Sequence, residues 1–263
     1  MTKFYRIDYK GTPRYAVEHD GRWRLLDGDL FDRHQPGEEI PPEGHRVLSP
    51  VMPSKVVCIG LNYKDHAAEQ NKPLPTEPLM FIKPSTSVIG PGEAIVLPDG
   101  VGRVDHEAEV AVVIGRRATR VPEAEARHYV LGLTCFNDVT ARELQQKGAG
   151  YTHAKGYDTF AAIGPCIAAG VDYHADGGVG IEGWVNGTRR QASSTMQLVF
   201  PIDRLIAYIS NVMTLLPGDV IATGTPSGIG PLAPGDQVTI KVAGVGELTN
   251  SVEQRTTAQG GRA

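Results

Sequence analysis

The chain is divided into many short apolar segments that end at glycine or proline, and this division constrains the fold more than any other feature. Among 263 residues there are 31 glycines and 19 prolines, more than a bundle of long helices tolerates. Segments such as residues 55–60, 108–115 and 236–242 have the length and apolar pattern of strands. Because few helical segments separate them, a doubly wound sheet is disfavoured. The pattern predicts a mixed, β-rich α+β fold, built as a β-roll or distorted barrel.

The start of the chain has a different texture and predicts a small N-terminal β-rich module over residues 1–50. Residues 2–9 and 13–26 alternate polar and apolar side chains across two turns, which is the signal of hairpins. A loop rich in proline and glycine follows at 33–45. We expect a second, larger domain over residues 51–263. Its predicted helices are at 122–130, 140–146 and 201–216.

The overall charge and the lack of long apolar runs argue against two classes of partner. The formal net charge is −4, whereas binding to nucleic acid needs clustered Lys and Arg. No apolar run reaches the ~20 residues of a membrane span, and the first residues do not resemble a signal peptide. Cys58, Cys135 and Cys166 are widely spaced among apolar residues, which indicates reduced thiols in a cytoplasmic protein.

Two glutamates lead directly into an apolar row in HEAEVAVVIG, residues 106–115. Alternate residues of a strand share a face, so Glu107 and Glu109 point the same way as Ala111 and Val113. Carboxylates in an apolar setting repel each other and lose solvation unless a cation compensates. Hard divalent ions prefer such oxygens, so the pair predicts a Mg²⁺, Mn²⁺ or Ca²⁺ site. The alternative is a strand end whose glutamates reach water.

A third carboxylate, Asp138, ends the apolar run at 133–138, where a further metal ligand would lie. Its alternative role is that of an N-cap for the following helix.

Arg142 and Gln145 come next, three residues apart and therefore on one helical face, suited to binding a substrate carboxylate. The alternative for this pair is an ordinary solvated helix face.

His66 and Glu69 form a three-residue pair in GLNYKDHAAEQNK, residues 60–72. On a helical turn the carboxylate would fix the imidazole tautomer, so that the other ring nitrogen can activate water. The segment lies between Gly60 and Pro73, and lids are short mobile elements of this kind. The alternative is a pair on the solvated surface.

Two lysines and one glycine-rich loop complete the candidate groups. Lys83 lies in the otherwise apolar FIKP, and Lys155 lies among small residues. Either lysine can stabilise a developing carbanion or enolate, or extend from the surface into water. The loop ATGTPSGIGP at 222–231 lacks the Gly-Lys-Ser/Thr ending of a phosphate loop. Its backbone amides can still cradle a carboxylate; the alternative is a plain wide turn.

Six segments, in a fixed order, carry a resemblance to a known family: GLNYKDHAAE, FIKPST, DHEAEVAVVIG, NDVTARELQ, AKGYDTF and TGTPSGIGP. Together they resemble the fumarylacetoacetate hydrolase family, from about Ser54 to Val252. The N-terminal module resembles that of bacterial members related to 2-hydroxyhepta-2,4-diene-1,7-dioate isomerases and acylpyruvate hydrolases. The chain departs from the family pattern at Glu143, where Asp is frequent, and at Ala161 and Ala162, where a proline often follows DTF.

The resemblance implies a β-roll catalytic domain, a homodimer and a Mg²⁺ or Mn²⁺ site that can take Ca²⁺ in crystals. On the matching positions the implied metal ligands are Glu107, Glu109 and Asp138. His66 and Glu69 would form the water-activating pair on a lid, and Lys155 would assist the carbanionic leaving group. The residues implied at the substrate are Arg142, Gln145, Thr225 and Lys83, the last in a structural or electrostatic role.

The predicted activity is hydrolysis of a carbon–carbon bond in an acylpyruvate-type 2-oxo acid through a metal-stabilised enolate, as in aromatic catabolism. Without the attacking water, the same chemistry gives isomerisation of 2-hydroxyhepta-2,4-diene-1,7-dioate or decarboxylation of oxaloacetate. A non-catalytic metal-binding structural protein is the alternative from another class. It would explain the carboxylates but not the pair His66–Glu69 or Lys155.

Overall fold

The computed structural model describes residues 1–148 and 150–255. Strands dominate these residues, and the longest α-helix among them has 11 residues. The predicted β-rich α+β fold class is confirmed. Residues 149 and 256–263 of the predicted second domain lie outside the described residues.

The strands in chain order are β1 (Thr2–Tyr9), β2 (Thr12–His19), β3 (Arg22–Gly28), β4 (His34–Ile40), β5 (Arg46–Val47), β6 (Val56–Gly60), β7 (Leu79–Lys83), β8 (Val88–Ile89), β9 (Ile95–Leu97), β10 (Val104–His106), β11 (Ala108–Ile114), β12 (Val130–Asp138), β13 (Thr140–Ala141), β14 (Ala161–Ala169), β15 (Gly180–Val185), β16 (Thr188–Ser194), β17 (Val220–Ala222), β18 (Gly230–Pro231), β19 (Gln237–Val242) and β20 (Gly246–Gln254). The α-helices are α1 (Lys64–Glu69), α2 (Arg142–Gln146), α3 (Tyr151–Lys155) and α4 (Ile202–Val212), and short 3-10 helices span Ser85–Ser87, Glu123–Tyr129 and Thr195–Gln197.

The largest sheet formed by the described residues has twelve strands. Its main path is β4-β3-β2-β1-β14-β12-β11-β17-β6-β7, with β5 paired to β1 and β8 paired to β14. The N-terminal strands belong to this sheet because β1 pairs antiparallel with β14, where Thr2 lies opposite Ala169 and Phe4 opposite Ile167. Backbone hydrogen bonds therefore join the region 1–50 to the rest of the chain.

A second sheet, β16-β15-β19-β20-β9, packs against one face of the large sheet. Val110 and Val112 of β11 share an apolar cluster with Ile240 and Leu248 of the second sheet. The intervening side chains of β11 belong to a separate cluster on the opposite face. Both faces of β11 are thus buried, which explains why its sequence is continuously apolar. A small sheet, β13-β10-β18, lies beside the point where β10 leads into β11.

The predicted helices differ from the observed ones in type and extent. The segment predicted at 122–130 is a 3-10 helix. The segment predicted at 201–216 is helical only as far as Val212, because Leu215 extends to pair with Ala118. No helix in the described part of the chain is long and apolar enough to span a membrane. Cys58, Cys135 and Cys166 are buried free thiols, as predicted.

Candidate metal centre and active site

Three carboxylates meet where β11 and β12 lie side by side in the large sheet. One oxygen from each of Glu107, Glu109 and Asp138 lies within 4.8 Å of the others, and all three residues are buried. The antiparallel register places Ala108 opposite Asn137, so the carboxylates flank this pair. The glutamates do not lie at a strand end open to water. Asp138 does not cap a helix either, since α2 begins after Ala141 and has no side-chain cap.

Hydrogen bonds to other segments hold the two glutamates in place. The Glu107 amide donates to Asn137 Oδ1 at 3.0 Å, and the Gly224 amide donates to Glu109 Oε2 at 2.8 Å. One amide of the glycine-rich loop thus binds a carboxylate of the chain itself. Gly224 has a φ of 103°, and a Cβ there would lie 2.8 Å from Cβ of Asn62. Only glycine allows this approach without rearrangement.

Two buried lysines supply the positive charge. Lys155 Nζ donates to Glu107 Oε2 at 2.9 Å, to Asp138 Oδ2 at 2.6 Å and to Thr140 Oγ1 at 2.7 Å. Lys83 Nζ donates to Asp138 Oδ1 at 2.5 Å and to the Val139 carbonyl at 3.0 Å. Lys83 is 0 % exposed and Lys155 is 3 % exposed. The alternative of surface lysines is therefore wrong for both.

Arg142 is held by carboxylates from two sides. Its Nε donates to Asp105 Oδ2 at 2.9 Å, and its guanidinium also pairs with Glu107. Another nitrogen donates to Gln145 Oε1 at 2.5 Å, so Arg142 and Gln145 lie on one helical face as expected. Asp105 is fully buried and also accepts from Arg103 Nε at 2.6 Å. The guanidinium is thereby fixed in orientation before any substrate binds.

The charges around the site move the pKa values of two neighbouring glutamates in opposite directions. Burial, together with the negative charges of Asp138 and Glu107, raises the pKa of Glu109 well above its usual range. Burial acts in the same sense on Glu107, but the cations of Lys155 and Arg142 outweigh it and hold the Glu107 pKa well below its usual range. Burial tends to lower the pKa of Lys155, yet Asp138 and Glu107 raise it, so this lysine is charged.

The chemistry of this donor set fits a hard divalent cation. Three buried carboxylate oxygens close enough to share one ion are the ligands that Mg²⁺ and Mn²⁺ prefer. The repulsion that raises the pKa of Glu109 is the repulsion that a cation relieves. The triad can therefore bind a metal ion.

The helix α1 carries a histidine–carboxylate pair. His66 Nδ1 lies 2.8 Å from Glu69 Oε2. His66 is buried, with 5 % exposure, while the Glu69 side chain is 40 % exposed, so the histidine faces the interior and its carboxylate partner reaches the surface. Two contacts dock α1 on the body of the protein: Ser193 Oγ donates to Asp65 Oδ2 at 2.7 Å, and the Gly228 amide donates to Glu69 Oε1 at 3.0 Å. These contacts hold α1 over the site.

A cavity of about 230 Å³ brings most of the candidate residues together. Of those predicted from the sequence, the ones that line it are His66, Glu107, Glu109, Asp138, Arg142, Gln145, Lys155 and Thr225. Glu69 and Lys83 do not line it but each contacts a residue that does: the exposed Glu69 contacts His66, and the buried Lys83 contacts Asp138. The cavity is smaller than pockets for drug-sized ligands, so it favours a small substrate.

Several residues of the site had no signal in the sequence. Gln70 Nε2 lies 2.7 Å from His66 Nε2, the nitrogen that Glu69 leaves free. Asp105 and Thr140 orient Arg142 and Lys155. The strand and helix that complete the site, β16 and α3, were also not predicted. The residue pattern of β16 is mostly polar because it is an edge strand with an exposed face.

A buried carboxylate triad, two buried lysines and a helix-borne histidine meet at one cavity, which is the arrangement of a candidate metal-dependent active site. The sequence matches the model for the fumarylacetoacetate (FAA) hydrolase C-terminal domain over residues 55–253 and the model for the Rv2993c-like N-terminal region over residues 2–50. The chain belongs to the fumarylacetoacetate hydrolase family, whose members include hydrolases, isomerases and tautomerases that depend on divalent metals.

Relatives that are named as an isomerase, a hydrolase and a tautomerase each match most of the chain. The crystal structure of 5-carboxymethyl-2-hydroxymuconate delta-isomerase from Mycobacterium smegmatis is 41% identical, covers 96% of this chain and 100% of its own, and has a TM-score of 0.88. Maleylpyruvate hydrolase from Sphingobium sp. SYK-6, solved with manganese(II) and pyruvate, is 29% identical with a TM-score of 0.80 and covers 97% and 100% of the two chains. The mitochondrial oxaloacetate tautomerase FAHD1 of Arabidopsis thaliana is 40% identical over 77% of this chain and 92% of its own.

Proposed function

We propose that the protein hydrolyses a carbon–carbon bond in a small acylpyruvate-type 2-oxo acid, with Mg²⁺ or Mn²⁺ on Glu107, Glu109 and Asp138. One observation carries the proposal: the carboxylate-held imidazole of His66 lines the same small cavity as the triad. A metal site with a purely structural role does not require an imidazole that is oriented by a carboxylate and faces a cavity. The relative that is named a maleylpyruvate hydrolase supports the same reaction class.

The residues of the chain divide the work as follows. Arg142, Gln145 and Thr225 bind the acid group of the substrate. His66, with its Nδ1 proton held by Glu69, takes a proton from water through Nε2. The resulting hydroxide attacks the distal carbonyl, the carbon–carbon bond breaks, and its electron pair leaves with the three-carbon acid. Lys155, charged and 2.6 Å from Asp138, is placed to return a proton to the leaving carbon.

A bound cation would supply Lewis-acid polarisation of the 2-oxo group. The chain itself provides the low-dielectric surroundings that strengthen such an interaction, because Glu107, Glu109 and Asp138 are all buried. The small cavity also limits the water that can reach the reacting atoms.

Tautomerisation is a second candidate, and a specific contact favours it. The side-chain amide of Gln70 lies 2.7 Å from His66 Nε2, so an attacking water would have to displace it before this nitrogen could act as a base. In this arrangement proton movement within an oxaloacetate-type substrate needs no attacking water. The relative named an oxaloacetate tautomerase supports this candidate, and the relative named an isomerase supports a similar one.

A screen of the purified protein separates these candidates. Acylpyruvates, oxaloacetate and dienoic diacids are each incubated with Mg²⁺ or Mn²⁺, and cleavage, enol–keto exchange and loss of CO₂ are followed separately. Metal-dependent release of pyruvate from an acylpyruvate is the expected result. Exchange without cleavage establishes the tautomerase. Metal binding without turnover of any of these acids would leave a structural role and contradict both candidates.

A further inference from the structure

The side chain of Gln191 connects two parts of the active site that lie far apart in sequence. Gln191 belongs to β16 and is 1 % exposed. Its Oε1 accepts from the Ala108 amide at 3.0 Å and from His106 Nδ1 at 3.1 Å. Its Nε2 donates to Thr225 Oγ1 at 2.8 Å and to the Pro226 carbonyl at 2.8 Å. Both lone pairs and both protons of the carboxamide are therefore used.

The two connected segments carry different functions. Ala108 lies between Glu107 and Glu109, so the oxygen of Gln191 is bonded to the backbone that carries the triad. Thr225 lines the cavity in the glycine-rich loop, so the nitrogen is bonded to the segment that faces the substrate. Thr225 Oγ1 also donates directly to the Ala108 carbonyl at 2.9 Å. The rigid, planar carboxamide of Gln191 therefore adds a second connection beside this direct one, and the two together restrict how the loop can move relative to the carboxylate strand.

The same edge strand supports other parts of the site. Ser193 Oγ donates to Asp65 at the start of α1, as described above. The carbonyl of Arg190 lies so close to Gly228 that a Cβ there would be 2.1 Å from its oxygen. Strand β16 thus lies behind α1 and behind the loop, and Gln191 is the member of the strand that also reaches the carboxylates.

We propose that Gln191 is a positioning residue that, together with the direct bond from Thr225 to Ala108, braces the loop against the strand of the metal-binding carboxylates and thereby presents the loop to the acid group of the substrate. The assignment of Thr225 to the substrate rests on the proposed function. The connection between the loop and the carboxylate strand does not, because it concerns hydrogen bonds that exist without a substrate.

Substitutions can remove the contacts of Gln191 Nε2 separately from those of its Oε1. In Gln191→Glu, one carboxylate oxygen can still accept from Ala108 and His106. The other oxygen faces the Pro226 carbonyl, and because both are acceptors, the hydrogen bond to this carbonyl is replaced by repulsion. We expect faster hydrogen–deuterium exchange in residues 224–229, oxalate affinity of the Mn²⁺-loaded protein weakened by about tenfold or more, and Mn²⁺ affinity close to that of wild type. In Gln191→Ala both ends are lost, and Mn²⁺ affinity should also fall by about tenfold.

Asn250 provides a matched control at a distance from the site. It is also 1 % exposed, and its Nδ2 donates to two carbonyls, those of Gly90 at 2.9 Å and Glu93 at 2.8 Å. Asn250→Asp should lower the thermal stability as Gln191→Glu does, but leave loop exchange and oxalate affinity unchanged.

The readouts distinguish failure of the inference from failure of the proposed function. Wild-type loop exchange in Gln191→Glu, or equal changes in Gln191→Glu and Asn250→Asp, would overturn the positioning role. If the wild-type protein binds Mn²⁺ but not oxalate, the proposed substrate class fails, while the exchange measurement still decides the role of Gln191.

Discussion

Nζ of Lys155 lies 2.6 Å from Oδ2 of Asp138, inside the group of carboxylates that is the candidate metal site. The ammonium also donates to Glu107, so one lysine bonds two of the three candidate ligands. A cation and Lys155 therefore compensate the same negative charge. This relationship makes the metal-free stability of the protein depend on the lysine.

Lys155→Met should destabilise the metal-free protein and increase the stabilisation by Mn²⁺. Removing one partner of a buried ion pair costs about 3–5 kcal/mol, because the other charge stays buried. Thermal unfolding with EDTA and with Mn²⁺ measures both effects. Lys241→Met is the control: Lys241 pairs with Glu247 at 2.7 Å on the surface, and such a pair contributes about 0–1 kcal/mol. Equal Mn²⁺-induced shifts in Tm for Lys155→Met and wild type would contradict the prediction.

Mn²⁺ affinity should fall as the pH is lowered through the raised pKa of Glu109. Burial and the charges of Asp138 and Glu107 keep a proton on Glu109 above the usual pH range of a glutamate, and the metal must displace it. One displaced proton changes Kd by about tenfold per pH unit below that pKa. Titration calorimetry in buffers of different ionisation enthalpy counts the released protons. Glu109→Gln should bind more weakly and lose this released proton; the same proton count in both proteins would disprove the assignment.

The raised pKa of Glu109 also affects the stability of the metal-free protein, which should fall as the pH rises, whereas Mn²⁺ affinity should increase. The native state holds a proton on Glu109 that the unfolded state has already lost, so stability falls as the pH rises above the usual range of a glutamate. Urea unfolding in EDTA at a series of pH values measures the slope. Glu109→Gln should reduce it, and an unchanged slope would show that other groups are responsible.

His66→Ala should abolish acylpyruvate hydrolysis while leaving Mn²⁺ affinity intact. A general base contributes about 10²–10⁴-fold, so the loss is measurable. Any oxaloacetate decarboxylation should be reduced less, because it needs no attacking water. Glu69→Gln should also reduce hydrolysis more than decarboxylation, but by a smaller factor than His66→Ala. His128→Ala is a surface control, since His128 pairs with the exposed Glu125 at the same three-residue spacing. Equal losses of hydrolysis and decarboxylation would remove the water-activating role.

Arg142→Ala should raise KM for a 2-oxo acid more than it lowers kcat, because a carboxylate clamp binds the ground state and the transition state almost equally. Steady-state kinetics on the substrate found in the screen measures both constants. Arg103→Ala is the control: Arg103 donates to both oxygens of Asp105 but does not line the cavity. An unchanged KM in Arg142→Ala would show that the arginine serves only to hold Asp105 and Glu107.

The parts of the site that depend on local periodicity could be predicted from the sequence. The two-residue repeat of a strand places Glu107 and Glu109 on one face, and a helical turn places His66 beside Glu69. Contacts between distant segments could not be derived in this way, because periodicity does not state which strands pair. Lys83 reaches Asp138 across 55 residues, and Gln191 reaches Ala108 across 83. The family resemblance, not the residue pattern, supplied Thr225.

The pairing of β1 with β14 has a consequence for how chains of this kind can be shortened or recombined. The C-terminal half of β14 has β1 on one side and β12 on the other. A chain begun at residue 51 would leave this edge without its partner, with unpaired amides and carbonyls available to another molecule. The first fifty residues thus protect a strand edge that would otherwise associate with other molecules. A fusion protein in which another domain replaced them would need a strand that pairs with β14 in place of β1.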